Sequence, residues 1–164
     1  MTILNKEYIK KYALEYLKRY DTSKKNLINV LKRRIYKFNV REEKNKKNLF
    51  RIINEVVDDL EMNKVINDDN YADSKIHSYL TMGKSIRLIR YNLLKKGLSS
   101  ENINNVITKL KESAPDLEIQ SAHTFARKKK LGKYGNFKNK EKDFAKMARA
   151  GFNYDIVLKV LEYD

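Results

Sequence analysis

Cysteine is absent from this 164-residue chain, and glycine (5) and proline (1) are scarce. Without cysteine there is no disulfide framework, no thiolate metal ligand and no thiol nucleophile. So little glycine and proline cannot supply the many tight turns of an all-β fold, nor a glycine-rich loop that cradles phosphates. Acidic residues are outnumbered, 21 against 36 Lys and Arg, for a formal charge of +15. Long apolar runs are missing as well, since none reaches the roughly 18 residues of a membrane span. The opening stretch MTILNKEYIKKYALEYL interleaves charge with helical periodicity and holds no secretory apolar block. What these absences leave is a cytoplasmic, all-helical, basic protein. Its natural partner is polyanionic, because a body so charged attracts acidic surfaces.

The charge is unevenly placed. Residues 5–47 carry 15 basic and 5 acidic side chains, and residues 48–83 carry 3 and 7. Residues 84–114 carry 7 and 2, and residues 123–149 carry 10 and 2. Three basic blocks therefore alternate with acidic stretches.

Apolar spacing gives the helices. Ile9, Tyr12, Ala13, Tyr16, Leu17 and Tyr20 recur as one face of a helix does. Thr22 or Ser23 can cap a second helix with Leu27, Val30, Leu31 and Ile35 inward. A polar, doubly charged stretch at 39–48 leads into a third, with Leu49, Ile53, Val56, Val57 and Leu60 on one side. The pattern then recurs. Asp68 and Asp69 can cap a helix carrying Tyr71, Ala72, Ile76 and Leu80, which stops at Gly83. Ser85 caps the next, with Ile86, Ile89, Leu93 and Leu94 inward, and Ser99 or Ser100 opens one with Ile103, Val106, Ile107 and Leu110. Gly97 supplies the left-handed residue that ends a helix, and Leu98 can fold back on its last turn. Pro115 marks a linker. A third copy aligns through its glycine: Gly97 with Gly151, Leu98 with Phe152, Ser99 with Asn153, and Ile103, Val106 and Ile107 with Val157, Val160 and Leu161. Leu93 and Leu94 then match Met147 and Ala148. The chain reads as three tandem three-helix repeats, 1–62, 63–114 and 115–164. A unit of about 40–60 residues buries little core alone, so the repeats must lean on one another in an elongated row.

Catalytic chemistry finds no foothold. His77 falls on a polar helix side and His123 just inside the third repeat, with no Glu-x-x-His or His-x-x-x-His spacing for zinc. The acidic runs Asp58-Asp59-Leu60-Glu61 and Asp68-Asp69 lack the alternating ligands and central glycine of a calcium loop; capping and dipole compensation account for Asp68 and Asp69. The stretch Leu131-Gly132-Lys133-Tyr134-Gly135-Asn136 is a loop without the strand and helix of a phosphate-binding motif. No nucleophile elbow is present. No enzyme activity, metal or cofactor is expected. Tyr12, Tyr16, Tyr71 and Tyr154 lie at or beside inward positions, which assigns them to packing rather than base stacking.

The basic clusters carry more information. Lys32-Arg33-Arg34 closes the second helix, where cations also suit the dipole. Lys84, Arg87, Arg90, Lys95 and Lys96 line a helix with no acid to neutralise them, and that helix also displays Leu88 and Tyr91. Arg127, Lys128, Lys129 and Lys130, with Lys133, form the densest cluster. Four consecutive cations cover every face of a helix, so one of them should run along the core side and snorkel outward. These cations fit phosphate contact or an acidic protein groove.

In order along the chain, the motifs resemble one family, the RecX regulators of the bacterial recombinase RecA. Ala13-Leu14-Glu15-Tyr16-Leu17-Lys18-Arg19, then Ser23 and Leu27-Ile28-Asn29-Val30-Leu31, is similar to its opening signature, with Asn26 where Glu is usual. Val65-Ile66-Asn67-Asp68-Asp69-Asn70-Tyr71-Ala72 resembles its second joint. Gly83-Lys84-Ser85, Ile89-Arg90, Leu93 and Lys96-Gly97 resemble its most specific motif, with Asn92 departing from a common Glu. Ala126, Leu131-Gly132 and Ala148-Arg149-Ala150-Gly151-Phe152 fit the third repeat. The resemblance implies a curved array of three-helix repeats without a catalytic site. Its members bind RecA, lie in the groove of its filament on single-stranded DNA, and modulate, usually inhibit, its ATPase and strand exchange in DNA repair and the SOS response. Some also bind DNA directly. No list of contact residues comes with the resemblance.

The expected contacts therefore rest on charge: Lys84, Arg87, Arg90, Lys95, Lys96 and Arg127 to Lys130, with Lys32, Arg33 and Arg34 as a secondary patch. The expected protein is a monomeric, non-enzymatic regulator of recombination that docks on a RecA nucleoprotein filament. A general DNA- or RNA-binding helical module is the alternative, and a scaffold for another partner is a third.

Overall fold

A computed structural model describes residues 4–38, 43–137 and 139–163. Among them every regular element is helical. The first triplet is α1 (Lys6–Leu17), α2 (Lys24–Tyr36) and α3 (Glu43–Met62); the second is α4 (Asp68–Thr81), α5 (Ile86–Lys95) and α6 (Ser100–Ser113). The third is α7 (Leu117–Lys129), α8 (Lys140–Arg149) and α9 (Tyr154–Leu161), with a single 3-10 turn, Gly132–Tyr134, between α7 and α8. The all-α class expected from the sequence is observed.

Most helix ends obey the local chemistry. Ser23, Ser99 and Asn153 each accept a hydrogen bond from the backbone N–H three residues on, and Ser85 does so for Leu88 at 3.2 Å. Gly83, Gly97 and Gly151 all take φ near +90°, at 87°, 87° and 93°, a region that penalises any Cβ. Four expectations need correction. Asp68 and Asp69 occupy the first turn of α4, and Asn67 is its cap, accepting from Asn70 N–H at 3.0 Å. The third helix starts at Glu43, so it absorbs most of the polar stretch at 39–48; residues 39–42 lie outside the described residues. Leu94, expected inward, and Tyr154, placed at or beside an inward position, are 47% and 66% exposed. The stretch after α7 is wound into the 3-10 turn rather than left as a plain loop.

By packing, the residues up to Tyr71 together with Lys96–Leu98 form one compact unit; Ala72–Lys95 with the residues from Ser99 onward form a second. In the first, Ile9, Ala13, Leu27, Leu31, Ile53 and Val57 are among the side chains that make a dry core between α1, α2 and α3. In the second, Ala122, Ala126, Leu131, Met147, Val160 and Leu161 help to close the core of α7, α8 and α9. Ile76, Ile89, Leu93, Ile103 and Ile107 are likewise buried in the second triplet.

One joint is built twice, once in each unit. In the first, the Ser23 hydroxyl donates to the Lys96 carbonyl at 2.5 Å, and the Lys24 N–H donates to Asp68 Oδ1 at 2.8 Å. In the second, the Ser85 hydroxyl donates to the Ala150 carbonyl at 2.6 Å, and the Ile86 N–H donates to Glu118 Oε1 at 2.9 Å. The capping serine thus accepts from its own helix while giving its proton to the last carbonyl of another. The glycine that follows each carbonyl lets the chains approach. A Cβ on Gly97 would fall 2.8 Å from Lys25 Cβ, and one on Gly151 would fall 2.5 Å from Ser85 Oγ.

Candidate basic docking surface

In the second unit the joint also orders cations. The hydroxyl of Ser121 donates to the Lys84 carbonyl at 2.8 Å, and Lys128 Nζ donates to the Met82 carbonyl at 3.1 Å. Between them Gly83 packs so closely that a Cβ would stand 3.0 Å from Phe125 N. These contacts lay α7 along the α4–α5 link and bring its cationic end to the start of α5. Lys84 is half-buried, with its ammonium 4.1 Å from the centre of the Tyr79 ring. Arg87 is exposed and passes beside Gly151, where an added Cβ would lie 3.3 Å from Arg87 Cβ. Arg90 is half-buried and donates to Asn104 Oδ1. Lys95 is exposed, its ammonium 4.5 Å above the Tyr91 ring.

Arg127, Lys128, Lys129 and Lys130 are all exposed. None of them runs along the core, because α7 ends at Lys129 and Lys130 turns into the left-handed cap at φ 53°. The expectation that one cation must snorkel fails for that reason: the run straddles a helix end and never completes a turn against the core. Arg127 lies 5.4 Å over the Tyr134 ring.

The remaining candidates belong to the first unit. Lys96 is exposed. Of the secondary patch, Arg34 is part of the packing: its Nε donates to Tyr8 Oη at 2.9 Å, and its guanidinium lies 5.0 Å over both the Tyr12 and Phe38 rings. Lys32 sits 5.0 Å over Phe50, and Arg33 is exposed. Internal acids also neutralise part of this first basic block. Lys24 reaches Asp58 at 2.9 Å and also pairs with Glu61, and Lys6 reaches Asp59 at 3.4 Å. Glu61 and Asp58 together hold the Lys24 ammonium above its usual pKa. The acidic run 58–61 is thus a counter-charge for lysines of the same unit.

The histidines take structural positions. His77 faces solvent beside Asp73 at 3.7 Å. His123 Nδ1 lies 3.0 Å from Tyr134 Oη. Burial depresses its pKa first, with Lys133 and Arg127 acting the same way and Glu162 opposing them. Among the described residues no group of three or more His, Asp and Glu side chains is placed to hold a metal ion. No described helix is long and apolar enough to cross a membrane. An open groove of about 610 Å³ in the first unit runs over Leu14, Leu17 and Val65, but both charge signs edge it, Lys10 and Lys11 against Glu7 and Glu15. The α5 helix itself contains no acidic residue.

Comparisons with known proteins agree on one family. Over 163 residues, 94% of this chain and 84% of the relative, the sequence is 33% identical to the regulatory protein RecX of Myxococcus xanthus. A regulatory protein RecX of Agrobacterium fabrum is 30% identical over 102 residues, which is 60% of this chain and 52% of that protein. The crystal structure of RecX from Lactobacillus salivarius matches with a TM-score of 0.71 over 96% of this chain and 94% of its own, at 22% identity. A crystal structure of regulatory protein RecX matches with a TM-score of 0.70 over 96% of this chain and 71% of its own, at 17% identity. These two likenesses show a shared fold. No family model matches the chain.

Proposed function

Since the chain belongs to the RecX family of regulatory proteins, we propose that it regulates homologous recombination and DNA repair by binding the RecA filament on single-stranded DNA. It acts without catalysis, as a cytoplasmic monomer, and lowers the filament's ATPase and strand exchange. Lys84, Arg87, Arg90, Lys95 and Lys96, with Arg127, Lys128, Lys129 and Lys130, face the acidic nucleoprotein; Lys32 and Arg33 are secondary. The observation that carries this reading is α5. It joins Arg87 and Lys95 in solvent to an acid-free helix, in a chain whose relative along almost its full length is a regulator.

A rival reading makes the same cations a general phosphate binder, in which the filament is touched only through its DNA. The two separate by titration. RecA ATPase on single-stranded DNA is followed as this protein is added, beside a titration of bare DNA at the same salt. A fall in ATPase at concentrations too low to coat bare DNA is the expected result. Inhibition that begins only when the DNA is saturated would replace filament recognition with competition for phosphate.

A further inference from the structure

The link from α6 to α7 is short: α6 ends at Ser113, Pro115 cannot continue it, and α7 starts at Leu117. Beside this link lies a cavity of about 270 Å³. Its buried lining comes from four helices, with Leu80 of α4, Ile86 of α5, Leu110 of α6 and Ile156 of α9. The less covered side is made by half-buried Ala114, Leu117 and Ile119 and by exposed Pro115. All of these residues belong to the second packing unit.

Size and charge narrow what this cavity takes. Its volume lies between the about 150 Å³ that admits benzene to an apolar cavity and the roughly 300 Å³ at which drug-sized pockets begin. One or two fused rings fit that range. The two charged residues of the lining, Lys111 and Glu118, have opposite signs, so an ion of either sign meets a like charge. A neutral molecule meets neither penalty and gains contact with the aliphatic lining. Glu118 adds one polar handle. Its Oε1 accepts from the Ile86 N–H at 2.9 Å, and a carboxylate has acceptor capacity left for a single ligand N–H or O–H.

We propose that this cavity binds a small, neutral, mainly apolar molecule with one hydrogen-bond donor, of the size and chemistry of indole, and that the ligand clamps α7 onto α5. The coupling follows from the lining. Ile86 and Glu118 both line the cavity and together make a hydrogen bond of the joint, and the Ser121 bond to the Lys84 carbonyl follows along α7. A ligand seated there shields the Ile86–Glu118 bond from water, and a hydrogen bond strengthens in a drier surrounding. The site stands apart from the filament-binding function above, because none of its lining residues is a cation assigned to the filament.

The test titrates the whole chain with indole, and separately with indole-3-acetate as the anionic counterpart, and reads methyl NMR shifts and amide hydrogen exchange. Indole should give saturable shifts at Ile86, Ile119 and Ile156, with a dissociation constant below about 1 mM. Indole-3-acetate should bind several-fold more weakly. At saturation the Ile86 N–H should exchange several-fold more slowly. Ala114→Phe fills the cavity and should abolish the shifts while leaving circular dichroism unaltered. Failure to saturate up to the solubility of indole would overturn the proposal. So would shifts that spread over the exposed Met62, Val65 and Met82 methyls, which would mean non-specific apolar binding. Equal affinity for the two probes would overturn the neutral-ligand assignment, and unchanged Ile86 exchange at saturation would overturn the clamp. Should Ala114→Phe lose its fold, the wild-type methyl map decides by itself whether the shifts are confined to the cavity.

Discussion

Asp143 is a buried carboxylate whose Oδ2 accepts two hydrogen bonds, from the Gly132 N–H and from the Tyr163 hydroxyl, each at 2.7 Å. It ties α8 both to the 3-10 turn and to the residues after α9. Gly132 is confined just as tightly, since a Cβ there would stand 2.5 Å from the Leu161 carbonyl oxygen. Asp143→Ala strands a buried N–H and a tyrosine hydroxyl, and should cost about 2–3 kcal/mol in urea unfolding; an unchanged midpoint would mean that water replaces the carboxylate. No spacing or motif in the sequence singles out Asp143. Its real partner lies eleven residues back, in a segment read as a loop. His123 adds a pH dependence. Its pKa is depressed in the folded state, so its contribution to stability is present above the unfolded value of about 6.5 and is lost as pH falls through the lower folded value. Urea midpoints should therefore decline on acidification below about pH 6.5, and His123→Gln should flatten that part of the decline. An equal slope in the variant would assign the effect to other groups.

At the scale of helices, the sequence revealed which serines cap but not what else they hold. Ser23 and Ser85 look like ordinary N-caps, because the spacing from each to its own helix is local. Their bonds to the Lys96 and Ala150 carbonyls span 73 and 65 residues, and no local pattern announces them. The alignment of Gly97 with Gly151 is the nearest sequence signal, since each glycine follows the accepting carbonyl. Apolar type misled at Leu94. It stands next to Leu93, but one residue turns a helix by about 100°, and only the side that already holds Ile86 and Ile89 is covered. The joint makes a non-additive prediction. Ser85→Ala removes a cap and a long-range bond, for about 1–3 kcal/mol. Gly151→Ala suffers both its positive φ and a collision with Ser85 Oγ. Because the hydroxyl is the collider, the Gly151→Ala penalty should be smaller in the Ser85→Ala background, by about 0.5 kcal/mol or more. Strict additivity in the double-mutant cycle would show that φ alone sets the penalty.

For the whole molecule, the formal charge of +15 overstates what a partner meets in the first unit. Lys6 and Lys24 are paired with Asp59, Asp58 and Glu61, and Arg34 is spent on Tyr8, Tyr12 and Phe38. The composition exposed the excess of base and the three blocks, but not this neutralisation, which depends on α1, α2 and α3 folding against one another. In the second unit Arg87, Lys95 and Arg127 to Lys130 remain in solvent. The blocks should therefore differ in function in the opposite order to their formal charge, since the first block carries the largest excess of base. Arg87→Glu/Arg90→Glu should weaken inhibition of filament ATPase by about tenfold or more, with an unaltered circular dichroism spectrum. Lys32→Glu/Arg33→Glu makes the same change in net charge and should weaken it only a few-fold, through the long-range field that salt screens within about 10 Å. If inhibition simply follows net charge, the two variants will fail together and will converge further as salt is raised. If the face of α5 is the docking surface, the gap between them persists in salt, because what Arg87 and Arg90 then lose is a desolvated contact with the partner's acids.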